Sequence, residues 1–340
     1  MDLVLPGLAA LVNSPFYRQH WQRISLPLLE QSQTELWVCH LHCLVPAIAG
    51  NKWLKLKYHI QHIQQYEKTG ILTFGGAFSN HLAAVAAAGK AFGFQTHAIV
   101  RHESVVTNPT LAACQAHGMQ LSFVDRQMYR QRHQAEYLAS LQQQFPNWLI
   151  VPEGGTSALG LQGVAELQLS QTPDGPAGLI CCATGSGGTV AGLALGHPHL
   201  PVLGISVVQD PGLAAQIRAL VPLQQNWQLQ PDCSGLRYGR FDQATLELCL
   251  EMSQQNVPLE PVYSGKAFRT LLQQLEQQQI APDQRIVFFH TGGLQGLDGL
   301  LQQQRISSAQ YQQLKSAELR LWHQFGKRLT EEITLSPTDS

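Results

Sequence analysis

Six small or hydroxylated residues in a row, Thr184-Gly185-Ser186-Gly187-Gly188-Thr189, are the stretch of this chain best suited to chemistry. Glycines allow close backbone approach, and a helix starting just after them aims free N–H groups and a positive dipole end at one point. The hydroxyls of Thr184, Ser186 and Thr189 add donors, so the expected guest is a phosphate. A bare tight turn is the competing reading, although a turn needs fewer special residues. The kind of phosphate narrows by exclusion. Val190 stands where a dinucleotide fingerprint has its third glycine, and no lysine followed by Ser or Thr closes the loop as it does for nucleoside triphosphates.

Lys52 is the candidate nucleophile. It follows Gly50 and Asn51 at an expected helix start, where the positive dipole end disfavours the ammonium form and favours the neutral amine that covalent chemistry needs. A solvated helix-start lysine is the alternative. Asn51 reads as the helix cap, and Lys55 and Lys57 read as surface charge. In Gly75-Gly76-Ala77-Phe78-Ser79-Asn80-His81, a second glycine turn carries Ser79, Asn80 and His81 into a helix N-terminus, which suits a carboxylate or ordinary capping. Cys39, His40, His42 and Cys43 have ligand chemistry but lack the separated second pair that structural zinc sites use. On a strand, His40 and His42 share one face, and Cys39, Leu41 and Cys43 share the other.

Such turns need strands to present them. Leu179–Ala183 is a short apolar run that predicts a buried parallel strand, and Val190–Leu193 reads as the helix after the loop. Trp53, Leu56, Ile60 and Ile63 recur at helical spacing. Strands at Ile71–Phe74, Thr96–Val100, Gln120–Val124 and Trp148–Val151 alternate with helices, including one that opens at Asn108-Pro109 and a glutamine-rich one reaching Gln144. That alternation predicts a parallel sheet. Further strands are expected near Val202–Val208 and Arg285–Phe289, the latter ending in the glycine turn His290-Thr291-Gly292-Gly293. An amphipathic helix over 308–332 closes the chain, whereas residues 1–35 show little pattern. Ligands of open parallel sheets gather at the strands' carboxyl ends, where all three turns fall.

Composition sets outer bounds. With 340 residues the chain supports one large or two moderate domains. Its 22 basic and 23 acidic residues give a net charge of -1, which offers no electrostatic case for nucleic acid or an anionic membrane. No apolar run is long enough to span a bilayer, and Pro6-Gly7 interrupts the N-terminal apolar residues where a signal peptide would be continuous. Seven cysteines, an odd number lying mostly in apolar segments, read as reduced core thiols of a cytoplasmic protein.

Taken in order, Gly50-Asn51-Lys52, Gly75 through His81, Pro152 through Thr156, Thr184 through Thr189, Pro261 through Ala267 and His290 through Gly293 form a pattern. It resembles the pyridoxal-phosphate enzymes of the tryptophan-synthase-β-like fold. More narrowly, it is similar to the group containing D-cysteine desulfhydrase and 1-aminocyclopropane-1-carboxylate (ACC) deaminase. The resemblance implies an α/β protein of two open parallel-sheet domains with pyridoxal 5'-phosphate in the cleft between them. The smaller domain would be residues 50–156 and the larger 1–49 plus 157–340, in a homodimer. Lys52 would carry the cofactor and move the substrate α-proton. Ser79, Asn80 and His81 would surround the substrate carboxylate, with Asn80 also near the cofactor's phenolic oxygen. Thr184, Gly185, Ser186, Gly187, Gly188 and Thr189 would hold the phosphate. Tyr238 and Tyr263 would be active-site tyrosines, and Ser264 would face the pyridine nitrogen. The implied activity is elimination from a small amino acid, with D-cysteine first. ACC deamination or another elimination or replacement is the alternative, and a non-catalytic binding protein is a third reading. The chain departs from the group's pattern at His40 through Pro46, at Leu82-Ala83-Ala84 after Ser-Asn-His, and at Arg240-Phe241 after Tyr238.

Overall fold

A computed structural model describes residues 17–43, 45–237 and 239–335. In chain order the strands are β1 (Tyr17–Ile24), β2 (Glu35–Cys43), β3 (Gly70–Gly76), β4 (Gln95–Arg101), β5 (Gln120–Val124) and β6 (Trp148–Val151). They continue with β7 (Gln171–Thr172), β8 (Gly175–Pro176), β9 (Leu179–Thr184), β10 (Val202–Ser206), β11 (Trp227–Pro231) and β12 (Arg285–His290). A larger sheet runs in the order β1-β2-β12-β9-β10-β11 and a smaller one in the order β5-β4-β3-β6, while β7 and β8 pair only with each other. The smaller sheet is parallel throughout. In the larger sheet only β1 is antiparallel to its neighbour.

Every strand expected from the sequence is present, within a residue or two at its ends. Two edge strands, β1 and β11, have no counterpart in the expectation. Both are half-buried and rich in glutamine and arginine or glutamine and proline, so their alternation is weak. The glutamine-rich helix is split into Arg126–Arg130 and Ala135–Gln144, and the former is capped by Asp125, whose side chain accepts from Met128 N.

The helix Asn51–Gln65 occupies the centre of the molecule. Its Leu54, Leu56 and Ile60 join one continuous apolar core with Leu82 and Ala84–Ala88 of the helix Asn80–Phe92, Ile180 and Cys182 of β9, and Val190–Ala194 of the helix Gly188–Gly196. The helix Ala158–Ala165 packs so close that a Cβ at Gly163 would lie 1.9 Å from Leu54 O. Buried on nearly every side, the central helix cannot carry surface lysines. Lys55 and Lys57 are only 3% and 1% exposed, against the expectation of solvated charge. Lys57 answers its burial with an ion pair to Glu166, which also accepts from Tyr58. Among the described residues Lys55 has no such partner.

The histidines of β2 form a row with those of its neighbours. His20 of β1 and His290 of β12 flank His40 in register, with ring centroids 6.1 and 5.0 Å away. His42 meets Trp322 edge-on at 4.6 Å. Cys39, Leu41 and Cys43 point to the opposite face, into the apolar core. Among the described residues no group of three His, Cys, Asp or Glu side chains is arranged to hold a metal ion. Burial, reinforced by the neighbouring imidazoles, holds His40 well below the usual histidine range and His42 at about 3; burial alone brings His290 down to about 4.

A histidine whose folded pKa is depressed leaves stability intact above about pH 6.5 and removes it as pH falls, because the unfolded chain takes up the proton first. Each such group contributes a loss of about 1.4 kcal/mol per pH unit between its unfolded and folded values. Because burial holds His59 at about 4 and His81 well down as well, urea unfolding should show stability falling steeply from pH 6.5 to 4.5, with roughly four to five protons taken up at pH 5. His42→Phe, which keeps a ring against Trp322, should lower that uptake by about one proton. Equal pH slopes in the two proteins would show that His42 titrates normally.

Candidate active site

Three turns at strand ends, together with the start of the central helix, converge on one place. Gly50 takes φ +70° as the N-cap of the helix Asn51–Gln65, and a Cβ there would lie 2.3 Å from Thr291 O. The helix thus begins with Asn51 inside it rather than capping it. Asn51 N donates to Thr291 O at 3.1 Å, in the turn after β12. Its side-chain amide donates to Thr189 Oγ1 at 3.0 Å, in the turn after β9. Its Oδ1 accepts from Lys52 Nζ at 2.9 Å. Asn80, from the turn after β3, donates to Gly293 O at 3.2 Å. One asparagine therefore aims the candidate lysine and ties it to the candidate phosphate loop.

That loop has the expected form. β9 ends at Thr184, Gly187 adopts φ +79° as N-cap, and the helix runs from Gly188 to Gly196. Cβ atoms built on its glycines show what faces what. At Gly185 a Cβ would lie 3.2 Å from Tyr263 Oη, and at Gly188 it would lie 2.7 Å from Thr156 Oγ1 and 3.2 Å from Lys55 Nζ. At Gly187 it would strike Ile217 Cγ1 at 2.5 Å, on the buried side away from the cleft. Ser186 and Thr156 share a hydroxyl–hydroxyl bond of 2.7 Å. Thr184 departs from the expectation: its hydroxyl donates to Cys182 O at 3.4 Å and lies beside Gly204 of β10, engaged within the sheet.

The electrostatics of the place are one-sided. Lys52 and Lys55 follow each other at i and i+3, one above the other on the helix. Burial lowers Lys52 to about 8, and burial with the neighbouring Lys52 charge lowers Lys55 to about 7. Lys55 Nζ donates to Gly154 O at 3.2 Å. Among the described residues neither amine has a carboxylate partner. One buried cation, Lys55, and one half-buried, Lys52, near the N-terminus of the helix Gly188–Gly196 make a site that lacks negative charge. A phosphate group fits it, and the backbone of 185–189, Ser186, Thr189 and Lys55 would hold one. Lys55 was legible in the i, i+3 spacing but is hidden behind its usual surface role.

The other candidates fall as follows. Ser79 caps the helix Asn80–Phe92 by accepting from Leu82 N at 3.4 Å, and its proton stays available to donate. His81 is buried. Thr73 Oγ1 donates to Val151 O, so His81 Nε2–H must donate to Thr73 Oγ1 at 2.9 Å. Its ring is thus anchored inward, and burial with the Lys52 and Lys55 charges keeps it neutral. What His81 offers a carboxylate is the backbone N–H at the helix start. Tyr263 Oη lies 3.4 Å from Ala183 O, over Gly185. Ser264 is buried at the first turn of the helix Ser264–Glu276 and its Oγ accepts from Glu260 N at 2.9 Å. Tyr238 lies outside the described residues.

Comparison with known proteins agrees with this geometry. Residues 22–292 match the family described as "Pyridoxal-phosphate dependent enzyme". D-cysteine desulfhydrases of Salmonella newport and Salmonella typhimurium are each 28% identical over 278 residues, covering 74% of this chain and 84% of theirs. The crystal structure of an ACC deaminase homologue superposes with a TM-score of 0.69 at 21% identity, covering 92% of this chain and all of that one. A hydrogen-sulfide-producing enzyme from Fusobacterium nucleatum superposes with a TM-score of 0.60 at 13% identity, covering 86% and 99%.

Borohydride reduction of the cofactor-loaded protein followed by peptide mass spectrometry should place the pyridoxyl group on Lys52, and an adduct on Lys55 would reverse the two assignments. Lys55→Met should weaken cofactor retention by roughly tenfold or more, the cost of removing a charge-assisted bond. Ser186→Ala should cost about 1 kcal/mol of retention. Gly187→Val should instead lower the melting temperature, because its side chain meets Ile217 and strains a left-handed backbone. Normal melting with lost cofactor in Gly187→Val would mean that the side chain faces the ligand.

Proposed function

The chain belongs to the pyridoxal-phosphate-dependent enzymes, and from that premise we propose that it is a lyase catalysing β-elimination from a small amino acid, with D-cysteine as the leading substrate. The observation that carries this reading is the pair of amines at the glycine loop, Lys55 buried and Lys52 half-buried and held by Asn51 Oδ1, with no carboxylate partner among the described residues. A binding module has no use for an amine lowered to about 8 at such a place. The identity of the substrate rests on the likeness to the D-cysteine desulfhydrases.

When bound, pyridoxal phosphate supplies an aldehyde that combines with amines and a conjugated ring that draws electrons from the substrate's α-carbon. The chain's own groups do the rest. Lys52 Nζ, oriented by Asn51, takes the α-proton. Ser79, Asn80 and the N–H of His81 hold the carboxylate at the helix start. Tyr263, or Tyr238, supplies a proton to the departing sulfur. The products balance as D-cysteine plus water giving pyruvate, ammonia and hydrogen sulfide. Ser264 would meet the ring nitrogen as a neutral hydroxyl: its oxygen accepts from Glu260 N at 2.9 Å, and its proton is held only by a long 3.5 Å bond to Glu260 O that it can exchange for the ring. A neutral partner suits a good leaving group such as a thiol, with a pKa of about 8.5, better than an unactivated cyclopropane carbon. A homodimer and a cytoplasmic setting complete the reading; all seven cysteines are unpaired, in keeping with a reducing compartment.

Purified holoenzyme should release pyruvate and sulfide from D-cysteine and little 2-oxobutyrate from ACC. Efficient turnover of ACC would replace this reading with ACC deamination, and inactivity towards every β-substituted amino acid would replace it with a binding role. Tyr263→Phe should lower kcat by roughly 10²-fold with folding intact if the hydroxyl moves a proton. Normal turnover with a lowered melting temperature would make Tyr263 a packing residue.

A further inference from the structure

His290 ends β12 immediately before the Thr291-Gly292-Gly293 turn, and none of the roles above uses it. Its ring has two partners whose roles are fixed. Pro258 O can only accept, so Nε2 carries the proton and donates to it at 2.8 Å. Gly292 N can only donate, so Nδ1 is bare and accepts from it at 3.3 Å. The side chain is 5% exposed, and the nearest ring is the equally buried His40 at 5.0 Å. The imidazole therefore sits as one neutral tautomer between two loops.

Both loops lead to the site. The Gly292 bond closes a tight turn in which Gly292 and Gly293 take φ +76° and +95°. Thr291 O in that turn receives Asn51 N, and Gly293 O receives Asn80 Nδ2. On the other side, Pro258 stands two residues before Glu260, whose carboxylate accepts from Val262 N and Ser264 N and so shapes the segment carrying Tyr263 and Ser264. We propose that His290 is a positioning residue, which as its Nε2–H tautomer clamps the 291–293 turn to the 258–264 segment and thereby sets where Lys52, Asn80 and Ser264 stand around the cofactor. A glycine turn alone would have many conformations open to it, and a local side-chain acceptor selects one.

The inference rests on cofactor binding and not on the elimination reading, so its test reads the resting holoenzyme. The visible circular dichroism of the bound cofactor reports ring orientation, equilibrium dialysis reports retention, and thermal melting reports stability. His290→Leu removes both bonds and should reduce the visible dichroism and weaken retention roughly tenfold, the effect of orphaning a backbone N–H. His290→Asn, whose Oδ1 can still accept from Gly292 N but whose side chain is too short for Pro258, should recover only part of both signals. Wild-type dichroism and retention in His290→Leu, with only the melting temperature lowered, would overturn the proposal. If His290→Leu does not fold, His290→Asn, which keeps only the Gly292 bond, and His290→Gln, which keeps only the Pro258 bond, decide. Reduced dichroism and retention in both variants support the clamp, and wild-type values in either one overturn it. A wild type that binds the cofactor yet eliminates nothing leaves this test intact while removing the proposed activity.

Discussion

A buried and a half-buried amine, Lys55 and Lys52, stand near a helix N-terminus with no acid among the described residues to neutralise them, and much of the architecture follows from that imbalance. A buried cation ordinarily acquires a carboxylate, as Lys57 does with Glu166. Lys52 and Lys55 keep neutral oxygens instead, from Asn51 and Gly154. Leaving such charge unpaired costs folding energy, offset elsewhere by the core that encloses the central helix. The cost is recovered when an anion binds, so stability and cofactor loading are linked. An acid placed beside either lysine would stabilise the empty protein and compete with the phosphate.

The two sheets are joined at the site more intimately than a hinge would be. Asn51 alone contacts the turn after β12 through its N–H, the turn after β9 through its amide, and Lys52 through its carbonyl oxygen. Asn80 reaches the β12 turn from the other sheet. The apolar core runs unbroken between the sheets along the central helix. Shifting one turn therefore shifts the others, which is why side chains that touch no ligand still set the site's geometry.

Much of this was readable from residue types and spacing. The strand before Thr184, the glycine loop, the lysine in the first helical turn and the cap at Ser79 are local features. Their turn chemistry and apolar runs depend on few distant partners. What the sequence hid was burial. Lys55, Lys57 and His81 are polar residues that a one-dimensional pattern assigns to solvent or ligand; the two lysines are enclosed because the central helix has protein on nearly all its faces, and His81 because the helix Asn80–Phe92 is buried through its first turns and seats the ring on Thr73 of β3. The side-chain direction of Thr184 and Gly187 was equally invisible. Thr184 is the last residue of β9, and its hydroxyl turns into the sheet, while the left-handed φ of Gly187 turns its Cβ direction toward Ile217. The edge strands β1 and β11 failed for the opposite reason, since half-exposed strands interrupted by glutamine and other polar residues carry little hydrophobic signal.

The surroundings of Ser264 decide which electron demand the site can meet. One negative charge is close at hand in Glu260, buried and pushed up to about 7 by burial, in part opposed by backbone N–H bonds and the Lys266 charge. Both of its oxygens are committed, one to Val262 N and one to Ser264 N at the start of the helix Ser264–Glu276, where a carboxylate is favoured by the dipole. Its charge is spent on the helix end and on shaping the turn, one residue layer behind the hydroxyl. A ring nitrogen at Ser264 would therefore meet a donor and not a carboxylate, and would stay unprotonated. On the proposed reading, the weaker electron sink that results would restrict the chemistry to substrates whose bond to the leaving group breaks easily. That restriction comes from the packing of a five-residue turn and not from any group that touches the substrate itself.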